Sequence, residues 1–369
     1  MFKYEAVSTW IREQIDNGTN QPGTKLPTER ELMERFSVSR QSVRRALQDL
    51  EQDGLIISIQ GSGIYVADRG QNGVRQGALP FTGESRHIDS RQIALVLTDN
   101  DDYIFPQIIS GIYEVLEDAG FIINLFFTDN HCLKETHVLQ ALLEGSYAGL
   151  LLSGTQSAFP RPDDALFRQV IHRIPCIMMD SRYSGYGLPC VSLDDSMGGY
   201  VATRHLIENG HRKIAYIGRS EYRQGIKRGQ GYVRALQEAG IEVDYNHVFF
   251  YTLDTYPLLF QRGVNREICS MLEDCTAVTC YNDQLAYDLI RMLELYGMRV
   301  PDDISIIGYD NAKIPPATMK ISTLEHPKNL LGKKAAENLL RLIRDPSFEA
   351  NYSFPPTLIR GETVRNIQT

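Results

Sequence analysis

The sequence predicts an α/β protein: a small N-terminal winged helix-turn-helix domain followed by a two-lobed α/β domain. Three observations predict it. Within residues 26–53 a capped helix is followed by a second, basic helix. Two β-prone runs around a glycine-rich turn come next, at 55–66. From residue 91 onward, short continuous apolar runs alternate with helical segments, the mark of parallel sheets covered on both faces. That region, roughly 280 residues, exceeds one typical domain and suits two lobes around a cleft.

The first helix is expected over 4–17, with Val7, Trp10, Ile11 and Ile15 on one face and Gly18 ending it. Trp10 belongs to that stripe and reads as core. Thr28 and Glu31 have capping-box spacing, which starts a second helix. After the break at 37–39, Ser39 is a suitable N-cap for a third helix over 40–53, and Gly54 stops it. Val43, Ala46, Leu47 and Leu50 form one apolar stripe. At about 100° per residue, Arg40, Gln41, Arg44 and Arg45 cluster on the opposite arc. A solvated basic face on an ordinary helical pair would look the same. The hairpin that follows, 55–59 and 64–66 around the turn that begins at Gln60 and Gly61, favours a winged DNA-binding head.

Charge supports a local rather than a global DNA surface. The formal net charge is −8, whereas residues 30–45 hold five arginines against Glu31 and Glu34. A basic patch on an acidic chain suits a specific reader. Residues 69–90, with four glycines and one proline and no sustained period, read as a linker. The expected domains are therefore 1–68, 69–90 and 91–369.

In the α/β part, strands are expected at 93–97, 121–127, 149–152, 176–179, 214–217, 277–280 and 304–307, with a short one at 321–324. Helices are expected at 105–119, 196–208, 229–239, 284–296 and 329–343. The six cysteines show no metal-binding spacing and read as buried thiols. Met1 leads directly into an amphipathic helix, and no apolar run approaches membrane length, so a cytoplasmic location is expected. No Walker loop or strand-anchored dinucleotide motif is present. His211, after a helix-ending glycine, reads as part of a helix C-cap. No catalytic residue, cofactor or metal is expected.

Ligands of open α/β sheets bind beyond the carboxyl ends of strands. The residues there are Asp99, Asn100, Asp101, Asp102, Tyr103, Phe105, Asp180, Gln224, Lys227, Arg228, Tyr281, Asn282, Asp283, Gln284, Asp310 and His326. Carboxylates, amides, a guanidinium and aromatic faces are what a sugar needs. Asn282 and Asp195 equally fit helix N-caps, and Arg228 a surface salt bridge. The set holds no cluster of several Arg or Lys residues, which speaks against a multiply phosphorylated effector; Lys227 and Arg228 leave room for one phosphate.

The motifs LPTERELMERFSVSRQSVRRAL and GSGIYV resemble the winged helix of the GntR family of bacterial repressors. HLIENGHRKIAYIG, YNDQLA, RVPDDISIIGYDN, HPKNLLGKKAAENLL and LIRGET resemble the effector domain of LacI/GalR repressors, which has the periplasmic-binding-protein-like fold. The LacI head and hinge helix have no counterpart here. A GntR-type head on a LacI-type body resembles the arabinose-responsive repressors of Gram-positive bacteria, and DYIFPQIISGI and QGIKRGQGY do so in particular.

That resemblance implies a repressor released from operator DNA by a small sugar, with L-arabinose first. It places Arg30, Arg40 and Arg44 at base edges or phosphates, Ser39 and Gln41 on the DNA backbone, and Gln60 with Gly61 in the minor groove. It places the sugar on Tyr103, Phe105, Asp180, Gln224, Arg228, Asn282, Asp310 and His326, and implies a homodimer built by the α/β domain. Three alternatives remain: a GntR head on an aminotransferase-like body, a repressor responding to another pentose, a hexose or a sugar phosphate, and a solute receptor serving a transporter.

Overall fold

The computed structural model describes the chain except for residues 1–4, 18, 21–23, 37, 53–54, 60–62, 67–89, 100–102, 262, 315–318 and 369. The chain divides into two compact units, Met1–Glu84 and Ser85–Thr369. Of the segment read as a linker, only Ser90 is among the described residues.

The first unit holds α1 (Glu5–Asp16), α2 (Glu29–Phe36), α3 (Arg40–Gln52), β1 (Ile56–Ile59) and β2 (Gly63–Val66). The capping box forms: the Thr28 N–H donates to Glu31 Oε2 at 2.7 Å, and the Glu31 N–H to Thr28 Oγ1 at 3.4 Å. Ser39 caps α3 by accepting from the Ser42 N–H at 3.2 Å. The stripe Val43, Ala46, Leu47 and Leu50 is buried, together with Val7 and Ile11 of α1. Trp10 packs at this core, 5.7 Å from the Phe36 ring, with the Arg35 guanidinium 4.1 Å above it. β1 and β2 pair antiparallel, Ile56 opposite Val66.

The second unit opens with β3 (Gln92–Leu97), α4 (Phe105–Asp118), β4 (Ile122–Phe127), α5 (Cys132–Glu144), β5 (Gly149–Leu152), α6 (Asp164–Arg173), β6 (Cys176–Met179) and β7 (Cys190–Leu193). It then passes to α7 (Asp195–Glu208), β8 (Ile214–Arg219), α8 (Arg223–Glu238), β9 (Val248–Tyr251), α9 (Val264–Leu272), β10 (Ala277–Cys280), α10 (Asp283–Leu295), β11 (Ser305–Ile307) and β12 (Thr323–Leu324). α11 (Lys328–Arg344), β13 (Tyr352–Phe354) and β14 (Leu358–Ile359) complete it.

Two parallel sheets result, ordered β13-β7-β6-β5-β3-β4 and β11-β10-β8-β9. The first is the core of an N-lobe, the second of a C-lobe. Their central strands are buried along nearly their whole length, as continuous runs such as IALVL require. The chain crosses between lobes after β7, between β12 and α11, and between β13 and β14, where β14 pairs with β12.

Two helix pairs cover these sheets at backbone distance. A Cβ on Gly332 of α11 would lie 2.1 Å from the Ile108 carbonyl oxygen of α4. A Cβ on Gly199 of α7 would lie 2.0 Å from the Arg228 carbonyl oxygen of α8. Only glycine allows either approach.

The structure corrects the sequence reading at α8, which starts at Arg223 rather than at 229. Gln224, Lys227 and Arg228 therefore lie on a helix, not a loop. The glycines of RQGIKRGQGY suggest a loop by composition, yet Gly225, Gly229 and Gly231 serve close packing. A second correction concerns Asp195: the N-cap of α7 is Asp194, which accepts from the Met197 N–H at 3.0 Å. Cys132 is half-buried, whereas the other five cysteines are buried as expected.

Replacing Gly332 with alanine forces α11 away from α4. We expect a loss of about 1–3 kcal/mol in the stability of the second unit, read from urea unfolding of the full-length protein. An unchanged midpoint would contradict this close-packing account.

Candidate functional site

On the head, Arg40, Arg44 and Arg45 of α3 are all exposed, as is the capping residue Ser39. Glu29, the first residue of α2, accepts from both Arg40 Nε at 2.9 Å and Arg44 Nε at 3.0 Å. Those two guanidiniums hold the Glu29 carboxyl below its ordinary value. The carboxylate thus fixes two of the arginines that the sequence assigns to DNA, a role invisible to pattern reading because it spans two helices. Arg30 and Gln41 lie on α2 and α3, but their side chains are outside the description, and Gln60 and Gly61 lie outside the described residues.

In the second unit, one cleft between the lobes is lined by all eight residues expected to hold a ligand: Tyr103, Phe105, Asp180, Gln224, Arg228, Asn282, Asp310 and His326. Each follows a strand, so the strand ends of both sheets converge there. Asn282 plays both of its possible parts: it caps α10 by accepting from the Leu285 N–H at 3.0 Å and it lines the cleft. Lys227 is not among the lining residues.

Arg228 is 4% exposed, not a surface residue. A buried guanidinium is tolerated only when paired and hydrogen-bonded. Its Nε donates to Asp195 Oδ1 at 2.9 Å and its Nη1 to the Tyr281 carbonyl at 2.6 Å. Nη2 lies 3.8 Å from Asp310 Oδ1, and the Tyr309 ring lies 3.6 Å below the guanidinium. Asp310 reaches across to Tyr103, whose hydroxyl donates to Oδ2 at 2.9 Å. Asp310 and Asn311 both have positive φ, +100° and +46°. The buried Lys328 ammonium holds this turn by donating to the Asp310 carbonyl.

Asp180, at the end of β6 in the N-lobe, forms a second polar node. It accepts from Gln224 Nε2 at 2.9 Å and lies 3.3 Å from His326 Nε2. Burial pushes its carboxyl up, but His326, Arg228 and Gln224 outweigh that and hold it below the ordinary value. With Nε2 facing Asp180, the buried His326 Nδ1 has no hydrogen-bond partner in the protein, nor does Gln224 Oε1. Buried polar atoms are nearly always satisfied, so these two await a ligand or water. Asp195, by contrast, is pushed up to about 6 by burial against the pull of Arg228.

Sequence reasoning missed Arg219 and Tyr222, which also line the cleft, whereas Tyr281 was among the strand-end residues and lines it too. Arg219 ends β8 directly after IAYIG, so its position behind a strand was a usable signal. The cleft's second cation is thus Arg219, where the sequence offered Lys227. Both guanidiniums are nevertheless matched: Arg228 by Asp195 and Asp310, Arg219 by Glu221 at 2.6 Å. Asp99 and Asp180 add negative charge to the wall. No excess of positive charge is left for a phosphate.

The cavity measures about 80 Å³, where one water needs roughly 10–15 Å³. That is room for roughly five to eight waters. Unmatched donors and acceptors beside the faces of Phe105, Tyr222 and Tyr281 match hydroxyls and C–H groups of a polyol. Among the described residues, no group of His, Cys, Asp or Glu is arranged to hold a metal ion.

Comparison with known proteins agrees with this arrangement. Residues 3–66 match the family of bacterial regulatory proteins, gntR family, and residues 203–364 match the periplasmic binding protein-like domain. An arabinose metabolism transcriptional repressor of Geobacillus stearothermophilus is 33% identical over 99% of this chain and 98% of its own length. Among solved structures, the transcriptional regulator CelR–cellobiose complex is 25% identical with a TM-score of 0.64, covering 88% of this chain and 91% of its own. A LacI family transcriptional regulator from Enterococcus faecium with bound ribose is 26% identical with a TM-score of 0.61, covering 75% and 100%.

Head, body and cleft together define a transcriptional regulator with a winged-helix DNA-binding head and a periplasmic-binding-protein-like effector body. The chain belongs to the arabinose metabolism transcriptional repressors. It is a regulator rather than an enzyme, and the aminotransferase-bodied alternative falls with the identification of the body.

One buried acid makes the second unit pH-sensitive. Burial, then the neighbouring Asp310, push Asp283 from its ordinary value of 3.8 up to about 8. The folded state holds this proton where the unfolded chain releases it. Stability is therefore lost as pH rises from about 4 to about 8, and the full cost is present above that. Asp283→Asn imitates the neutral form. The variant is expected to lose less stability than wild type between pH 5 and 9 in urea unfolding. An equal loss in both proteins would show that Asp283 does not hold the proton.

Proposed function

We propose that the chain represses transcription by binding operator DNA through α3 and the β1–β2 wing, and that a small neutral sugar in the interlobe cleft releases it. The observation that carries this reading is the convergence of eight separately positioned, sugar-suited side chains on one cleft between the lobes. L-Arabinose is the first choice of effector, because the relative from Geobacillus stearothermophilus is named for arabinose metabolism. The E. faecium neighbour holds a pentose, ribose.

Arg228 and Asp310 are the principal sugar-facing groups in this reading, with Asp180, Gln224 and His326 forming the second polar node. On the head, Arg30, Arg40 and Arg44 read bases or phosphates, Arg45 adds to the basic face, Ser39 and Gln41 touch the DNA backbone, and Gln60 and Gly61 carry the wing. A single winged helix covers one half-site, so the second unit pairs with a copy of itself to form a cytoplasmic homodimer. Sugar binding closes the lobes and shifts the dimer away from the operator-competent arrangement.

Calorimetric titration with L-arabinose, D-xylose, D-ribose and D-galactose, with and without operator, tests the effector. We expect L-arabinose to bind best, and operator to weaken it 5–150-fold, the reciprocal of a coupling of about 1–3 kcal/mol. No heat with any of the four sugars sinks the sugar assignment; equal affinity with and without DNA sinks the release mechanism.

The DNA assignment is tested separately. Arg44→Ala should lose about 1–3 kcal/mol of discrimination for operator over unrelated DNA, while sugar titrations stay as in wild type. A footprint of unchanged position and affinity would remove α3 from the recognition role.

A further inference from the structure

The chain passes between lobes at one edge of the cleft, from β7 and β13 in the N-lobe and beside β11 in the C-lobe. β4 and β9 form the opposite edge of each sheet, and β5 and β8 lie inside them. At about 4.8 Å per strand, β4 lies roughly 19 Å from β7. The lobes also touch here through polar groups, one of which, Glu221, pairs with the cleft-lining Arg219.

Glu221, in the loop after β8, is the centre of that contact. Its carboxylate is 4% exposed. From the opposite lobe it accepts Asn130 Nδ2 at 3.0 Å. From its own lobe it accepts the Leu253 N–H at 3.0 Å and Arg219 Nε at 2.7 Å. Its carbonyl accepts the Ala158 N–H of the N-lobe at 3.0 Å, and the Arg223 N–H donates to Ser157 Oγ at 3.2 Å. Asn130 is itself held: its Oδ1 accepts the Gln156 N–H at 3.0 Å. It has a φ of +55°, which asparagine tolerates.

Taking the cleft to be the effector site, as proposed above, we infer that Glu221 is a positioning residue that orients the ligand-facing Arg219 and ties it to lobe closure through Asn130. A buried carboxylate needs all its donors. Opening withdraws one of them, Asn130, and admits water beside the Arg219–Glu221 pair. Closing restores it and fixes the guanidinium in the wall of the cleft. The contact exists only between closed lobes, so it slows release of the effector rather than speeding its capture.

Two variants of the full-length protein test this. Asn130→Gly keeps the left-handed backbone and removes the donor; Glu221→Gln keeps an acceptor and removes the charge opposite Arg219. Without sugar, amide hydrogen exchange at Ala158 and Arg223 should be about tenfold faster in Asn130→Gly, the effect of one lost hydrogen bond to a charged group, with β3 and β8 amides unchanged. With L-arabinose in rapid-mixing tyrosine fluorescence, Asn130→Gly should release the sugar about tenfold faster, with association altered no more than about twofold. Glu221→Gln should keep Ala158 protected yet bind the sugar more weakly.

Unchanged exchange in Asn130→Gly overturns the latch, whether or not a sugar binds. Faster exchange with an unchanged release rate overturns its coupling to the effector. Wild-type affinity in Glu221→Gln overturns the positioning of Arg219. If wild type binds none of the sugars tried, the effector reading has failed, and the exchange measurement still decides the latch.

Discussion

A positive charge buried in the cleft organises the second unit. Removing a guanidinium from water costs several kcal/mol, and the cost is offset only by close, well-aligned partners. Arg228 obtains them from four directions: Asp195 at the start of α7, the carbonyl of Tyr281 after β10, the ring of Tyr309 and the carboxylate of Asp310 after β11. Gly199 makes the first of these contacts feasible, because it lets the α8 backbone at Arg228 approach α7 within what any side chain would forbid. The left-handed turn at Asp310 and Asn311, and the buried lysine beneath it, then hold the last partner in place. Each of these features is costly alone; together they fix one geometry at the strand ends.

Much of this was legible in the sequence, and the reasons differ by element. Continuous apolar runs revealed the central strands, because a strand buried on both faces has no polar alternation to blur it. The rule that ligands gather beyond strand ends gave a wider list of candidates, and the family resemblance narrowed it to the eight that line the cleft. The same logic missed Arg219 because the strand runs two residues further than its apolar core. Glycine misled at α8: a residue that usually breaks helices here permits two helices to touch. The neighbouring aspartates Asp194 and Asp195 could not be told apart, since both fit a cap by position and only the packing of α7 on α8 turns one of them inward. In the head, the caps at Thr28 and Ser39 were readable because they depend on neighbours three residues away. The bond from Glu29 to Arg40 and Arg44 was not, because it joins residues eleven and fifteen positions apart.

The cleft also shows how a neutral ligand site is made from charged groups. Arginines and acids are present on its walls, but each guanidinium already has its carboxylate. The site therefore offers directional donors and acceptors with little net field. This arrangement rejects anions and favours ligands that can both give and accept hydrogen bonds, a selectivity of chemistry rather than of charge.

Three separate crossings join the lobes, and the helix pairs on each lobe are in backbone contact. Helices that close cannot slide along one another without the carbonyls and α-carbons colliding, so each lobe moves as a stiff plate. Plates joined by three strips along one edge resist twisting and lateral shear; what remains easy is rotation about that edge, like the boards of a book about its spine. The molecule can then report the contents of its cleft through a single angle. Any surface far from the spine is displaced most by a given rotation, so the smallest change at the sugar is read out with the greatest leverage along the free margins of the two lobes.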